Sequence, residues 1–83
     1  METIIVEVYF PSLMRSFDIE IPINLRFHRI TELIEQTVCR ITGGQYAPSH
    51  EAVLCDRESG MIFNVNFSPD QQCLINGSRL LII

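Results

Sequence analysis

Between Thr3 and Ile41 the spacing of apolar residues changes period, and that change leaves few folds open. The run "TIIVEVYF" (Thr3 to Phe10) is rich in β-branched and aromatic residues and reads as a strand. Keeping Glu7 in water sets its register: Ile4, Val6, Val8 and Phe10 face inward, and Thr3, Ile5, Glu7 and Tyr9 face outward. After a loop, "PSLMR", the run "SFDIEIP" alternates cleanly. Phe17, Ile19 and Ile21 make one face, and Ser16, Asp18 and Glu20 the other. Two half-buried strands with a short link predict an antiparallel hairpin. From Arg26 the apolar step lengthens to three and four. Phe27, Ile30, Leu33, Ile34, Val38 and Ile41 are expected to share one stripe of an amphipathic helix, and Gly43-Gly44 follows where a glycine cap belongs.

The second half returns to strand-like runs. "QYAPSH" is loop, "EAVLCD" a third strand, "RESG" a turn, "MIFNV" a short fourth strand and "SPDQQ" a turn or single 3₁₀ turn. Asn76-Gly77 then leads into a last strand, "RLLII". The order β-β-α-β-β-β in 83 residues predicts one domain spanning residues 1–83. The class is α+β: a mixed sheet of four to five strands with one α-helix across one face, the β-grasp arrangement. In it the last strand runs parallel beside the first, so Leu80 and Ile82 point under the helix. A chain this short buries about 60–65% of its unfolded surface, so its core has to be compact.

Composition excludes several function classes. The net charge is −4, and all six basic residues are arginine: Arg15, Arg26, Arg29, Arg40, Arg57 and Arg79. An acidic chain without a basic stripe is a poor binder of nucleic acid or anionic lipid. With no lysine, it cannot serve as a lysine acceptor in conjugation. The three cysteines, Cys39, Cys55 and Cys73, are odd in number and widely spaced, which argues against a disulfide framework or a zinc site. No segment resembles a signal peptide, and no apolar run approaches the ~18 residues a membrane span needs. A cytoplasmic location is expected.

Two segments carry a family resemblance. "FDIEIPINLRFHRITELI" (Phe17 to Ile34) shows the order aromatic-Asp-apolar-x-apolar, a short link, then the helix. "LINGSRLLII" (Leu74 to Ile83) shows an apolar residue, Asn-Gly and a final apolar strand. In these features the chain resembles ubiquitin and, more closely, the YukD/EsaB-type bacterial ubiquitin-like proteins associated with type VII secretion. The two segments cover about a third of the chain, and residues 42–70 carry little of the pattern. The resemblance implies a ubiquitin-like fold and a non-catalytic accessory or regulatory role. The partners it implies are cytoplasmic parts of a membrane secretion complex, which would recruit the domain to the inner face of the membrane. Conjugating relatives and sulfur carriers thread a flexible diglycine tail into an activating enzyme. Here Ile83 sits on a predicted strand, so no conjugation through that end is expected.

No arrangement of residues points to catalysis, a cofactor or a metal. His28 and Cys39 lie eleven residues apart on the predicted helix, about 16 Å along its axis, too far for a nucleophile–base pair. His50 and Cys55 flank a loop with no third group to orient them, and Asp56 and Glu58 read as solvated turn carboxylates. Cys39 is expected opposite the apolar stripe as an exposed thiol, and Cys55 and Cys73 as small packing residues. The strongest candidate is the sheet face away from the helix, where Ile5, Tyr9, Leu81 and Ile83 would group as a protein-binding surface. The third strand adds either Val53 and Cys55 or Ala52 and Leu54. Secondary candidates are Arg26, Arg29 and Arg40, within about 60° on one helix flank, where Arg29 also has Glu32 as a local partner. The edge at Met61 to Val65 is a further place for a partner strand. Two alternatives stay open: a ubiquitin-like structural subunit of a multicomponent oxygenase, and an orphan domain that forms a homodimer through the same face.

Overall fold

The computed structural model describes residues 2–49 and 51–83. Alternation does in the structure what it does in the sequence. β1 (Thr3–Phe10) and β2 (Arg15–Pro22) pair antiparallel along their whole length, from Thr3 opposite Pro22 to Phe10 opposite Arg15. Val6, Val8, Phe10, Phe17, Ile19 and Ile21 are buried on the inner face. β4 (Arg79–Ile82) runs parallel to β1, and β3 (Leu54–Asp56) pairs antiparallel with β4. The sheet order is β2-β1-β4-β3, with the last strand at its centre. Leu80 and Ile82 are buried in the one core cluster.

Helix α1 (Phe27–Ile41) lies across the inner face. Phe27, Ile30, Ile34 and Val38 are buried, but two residues expected on the stripe are not: Leu33 is 42% exposed and Ile41 58%. At 100° per residue Leu33 lies about 120° round from Phe27, off the stripe. Ile41 points toward the sheet but sits in the final turn. Thr31 and Glu35 are buried instead. They face the loop that returns along the helix, not the sheet. Cys39, on the same flank, is half-buried where an exposed thiol was expected, and Cys73 is exposed where a packing residue was expected.

The helix ends as Gly43-Gly44 predicts. The Gly44 amide bonds Cys39 O at 2.9 Å and the Gly43 amide bonds Arg40 O at 3.3 Å, with φ of +62° at Gly43 and +89° at Gly44. This is the paired bonding of a Schellman stop, which requires left-handed backbone just past the helix.

Among the described residues the sheet has four strands, the lower end of the expected four to five. Residues 61–65 form no strand; only Ile62 bridges to Cys55. Met61 O accepts from Asp56 N at 2.8 Å and Phe63 N donates to Leu54 O at 3.1 Å, but the backbone that follows turns to the helix. Arg26, at the N-cap, supplies no side-chain bond to the helix. Instead Phe27 N donates to Phe67 O at 2.8 Å and His28 N to Val65 O at 3.2 Å, satisfying two otherwise orphaned amides. Phe63 is buried and stacks on Phe27, ring centroids 4.6 Å apart. The third strand is also shorter than "EAVLCD", although Val53 still exchanges backbone bonds with Ile83 at 2.8 and 3.0 Å.

Candidate protein-binding face

The pairing registers lay out the outer face row by row. One row crosses the whole sheet: Ser16, Tyr9, Leu81, Cys55 and, across the bridge, Ile62. Ile83 and Val53, paired through their backbones, continue the apolar area beyond Leu81 and Cys55. The open register of β3 is therefore settled: Val53 and Cys55 face outward, and Leu54 is buried opposite Ile82. Flanked by Leu81 and Ile62, Cys55 is only 3% exposed although it points away from the helix. That burial pushes its thiol pKa up, which keeps it protonated and unreactive near neutral pH.

A charged row divides this face. Asp18, Glu7, Arg79 and Arg57 stand side by side across the strands, with Arg57 N donating to Arg79 O at 3.0 Å. The Arg57 side chain folds back over the sheet. Its Nη1 donates to Glu7 Oε1 at 3.2 Å, and its Cζ lies 4.4 Å from the centre of the Tyr9 ring. A cation over an aromatic face adds about 0.5–1 kcal/mol at an exposed site. Ile5 lies on the other side of this row, four residues or about 13 Å along β1 from Tyr9. The structure thus brings Tyr9, Leu81 and Ile83 together and leaves Ile5, 53% exposed, apart from them. Val53, Cys55 and Ile62 complete the apolar area, and Arg57 covers part of it. Sequence reasoning did not identify Arg57, because its reach depends on where the turn after β3 falls.

The three helix arginines share a flank but not a site. Arg26 is at the N-cap and Arg40 in the last turn, about 21 Å apart along the axis. Arg29 pairs with Glu32 at 3.8 Å, both side chains largely exposed, a contact worth a few tenths of a kcal/mol. His28 and Cys39 stay at opposite ends of α1. His50 lies outside the described residues. Asp56 does accept bonds, from the Ser59 hydroxyl at 2.7 Å and amide at 2.9 Å, which hold its carboxyl below the usual range. Among the described residues no three His, Cys, Asp or Glu side chains gather in a way that could hold a metal ion. No helix among them is long and apolar enough to cross a membrane.

A second feature escaped the sequence. Beside α1 lies a cleft of about 400 Å³, lined by His28, Thr31, Glu35, Gln36, Ser49 and Val65 among others. Glu35, on which sequence reasoning made no prediction, is 4% exposed. Its Oε2 accepts from the Tyr46 hydroxyl at 2.6 Å and the Ser49 amide at 2.8 Å. Burial first, then the Glu35 bond and charge, push the Tyr46 pKa well above its ordinary value of 10.0. Gly43-Gly44 was the available signal, since a reversed helix end sends the next residues back along the helix.

No family model matches the sequence, and no curated protein matches it. Solved structures do. The ubiquitin-like domain of the Mycobacterium tuberculosis type VII secretion protein EccD1 superposes with a TM-score of 0.76 at 14% identity, covering 100% of this chain and 99% of that one. A chain of the MycP5-free ESX-5 inner membrane complex gives 0.80 at 18%, covering 100% of this chain and 21% of that one. A chain of a toluene 4-monooxygenase HD complex gives 0.80 at 11%, covering 98% and 96%. At these identities the likeness is one of architecture, and it agrees with the strand order, the parallel central pair and the crossing helix: the chain has the ubiquitin-like β-grasp fold.

Proposed function

We propose that this domain is a non-catalytic interaction module of the YukD/EsaB kind, an accessory or regulatory component of a type VII secretion machine. It docks through its outer sheet face onto a cytoplasmic part of a membrane complex. The observation that carries the reading is the apolar area of Tyr9, Leu81, Val53, Ile62 and Ile83 on the face the helix leaves uncovered, exposed at Ile62 and Ile83, half-buried at the other three and floored by the buried Cys55. Contiguous exposed apolar surface of this kind marks partner sites. The likeness to EccD1 and to a part of the ESX-5 inner membrane complex supports a secretion partner.

The toluene 4-monooxygenase match favours one second reading, a structural subunit of a multicomponent oxygenase. Affinity capture from detergent-solubilised native membranes separates the two. Wild type is expected to retain a secretion ATPase and its membrane partners, and folded Leu81→Asp to lose them. Recovery of hydroxylase subunits instead defeats the secretion reading, and equal recovery by both variants defeats the outer face as the docking site.

A further inference from the structure

The cleft beside α1 has no role in docking by the outer face, and its chemistry is specific. Glu35 Oε2 is fully engaged by Tyr46 and Ser49. Among the described residues no donor reaches Oε1. No side-chain oxygen or nitrogen among them is both sealed from solvent and unpartnered. Oε1 therefore meets solvent, and the opening that Glu35 lines is the cleft. A carboxylate is held there by two donors on one oxygen while the other is left available. Glu32, one turn earlier on α1, also lines the cleft and shares its charge with Arg29 at 3.8 Å. Pro48, Ala52 and Val65 give the same cleft apolar wall.

A ligand matching this lining has an aliphatic stem and a cationic head. Arginine binds carboxylates best as a fork that needs both oxygens, and here one is already taken twice. An ammonium is a point charge with three donors, so it can bond Oε1 alone and turn its other protons to water or to Glu32. This chain contains no lysine, so a second copy of it cannot supply the group. A free amine would gain only one direct bond in an open cleft. A lysine carried on a polypeptide adds contacts from its stem and its neighbours. We propose that the cleft between α1 and Pro48, Ser49 and Ala52 receives a lysine side chain of a partner protein.

Amide NMR spectra of the 83-residue protein, titrated with Nα-acetyl-lysine methylamide, test this directly. Saturable shifts are expected at Thr31, Glu35, Gln36, Ser49 and Val65, with Tyr9 and Leu81 unmoved. The arginine analogue is expected to bind about fivefold or more weakly, and the Nε-acetylated lysine analogue not at all. Glu35→Gln is expected to lose the shifts while its outer-face resonances stay in place. The acetylated probe makes the test independent of any variant's folding. Absence of shifts, equal shifts from the acetylated or arginine probe, or shifts that persist in Glu35→Gln would overturn the proposal. Equal binding of n-butylamine would show a site for free amines and overturn the assignment to a polypeptide.

Discussion

Glu35 shows how one side chain can hold a loop. Among the described residues its carboxylate is the acceptor for both the Tyr46 hydroxyl and the Ser49 amide, so removing it strands two donors in a part-buried site. Glu35→Ala is expected to cost about 1–3 kcal/mol, read as a loss of thermal and urea stability. The same contact predicts a pH dependence. Folding raises the Tyr46 pKa above 10.0, so the folded state holds this proton more tightly than the unfolded chain. The contribution is complete below that value and is lost as pH rises beyond it toward the folded pKa. Cys55, whose thiol is raised from 9.0 by burial, loses its contribution in the same way from about pH 9. Urea midpoints should therefore begin to fall there and fall more steeply above pH 10.0, and only the steeper part should be absent in Tyr46→Phe.

At the level of elements, the hairpin and helix were legible because each carries its period in its own residues. Ile19 and Phe17 could not change face without exposing the core or burying Asp18. The helix stop was legible for the same reason. Gly43 has φ +62°, so Gly43→Ala should cost about 1 kcal/mol and lower Tm by about 4–8 °C in a scan of the folded protein. The segment after β3 was not legible. Ile62 and Phe63 have strand-forming side chains, but the residues that follow give their carbonyls to a helix some forty positions earlier. That demand is long-range, and local propensity does not register it. Burial of Glu35 was hidden similarly, since its partners Tyr46 and Ser49 lie eleven and fourteen positions on.

For the whole molecule, the fold gives the sheet two unlike faces. The helix closes one side of the sheet, and the other side presents an apolar row crossed by charges. The proposed quartet was read from alternation alone, which gives the face of a residue but not its neighbours. Parallel pairing of β4 with β1 sets Leu81 beside Tyr9 and Arg79 beside Glu7, and so isolates Ile5. Leu81→Asp should therefore weaken partner binding by about 2 kcal/mol or more, and Ile5→Asp should leave it nearly unchanged, as titration calorimetry with the captured partner would show. One consequence reaches into kinetics. Because the Phe27 and His28 amides are held by distant carbonyls at residues 67 and 65, they stay unpaired by the protein until the chain beyond β3 has come round. The two ends of one helix should thus be settled at different moments. The Schellman end can form early from adjacent residues, whereas the Phe27 end waits for loop closure. In stopped-flow refolding, Phe63→Leu should mainly speed unfolding and Gly43→Ala should mainly slow folding.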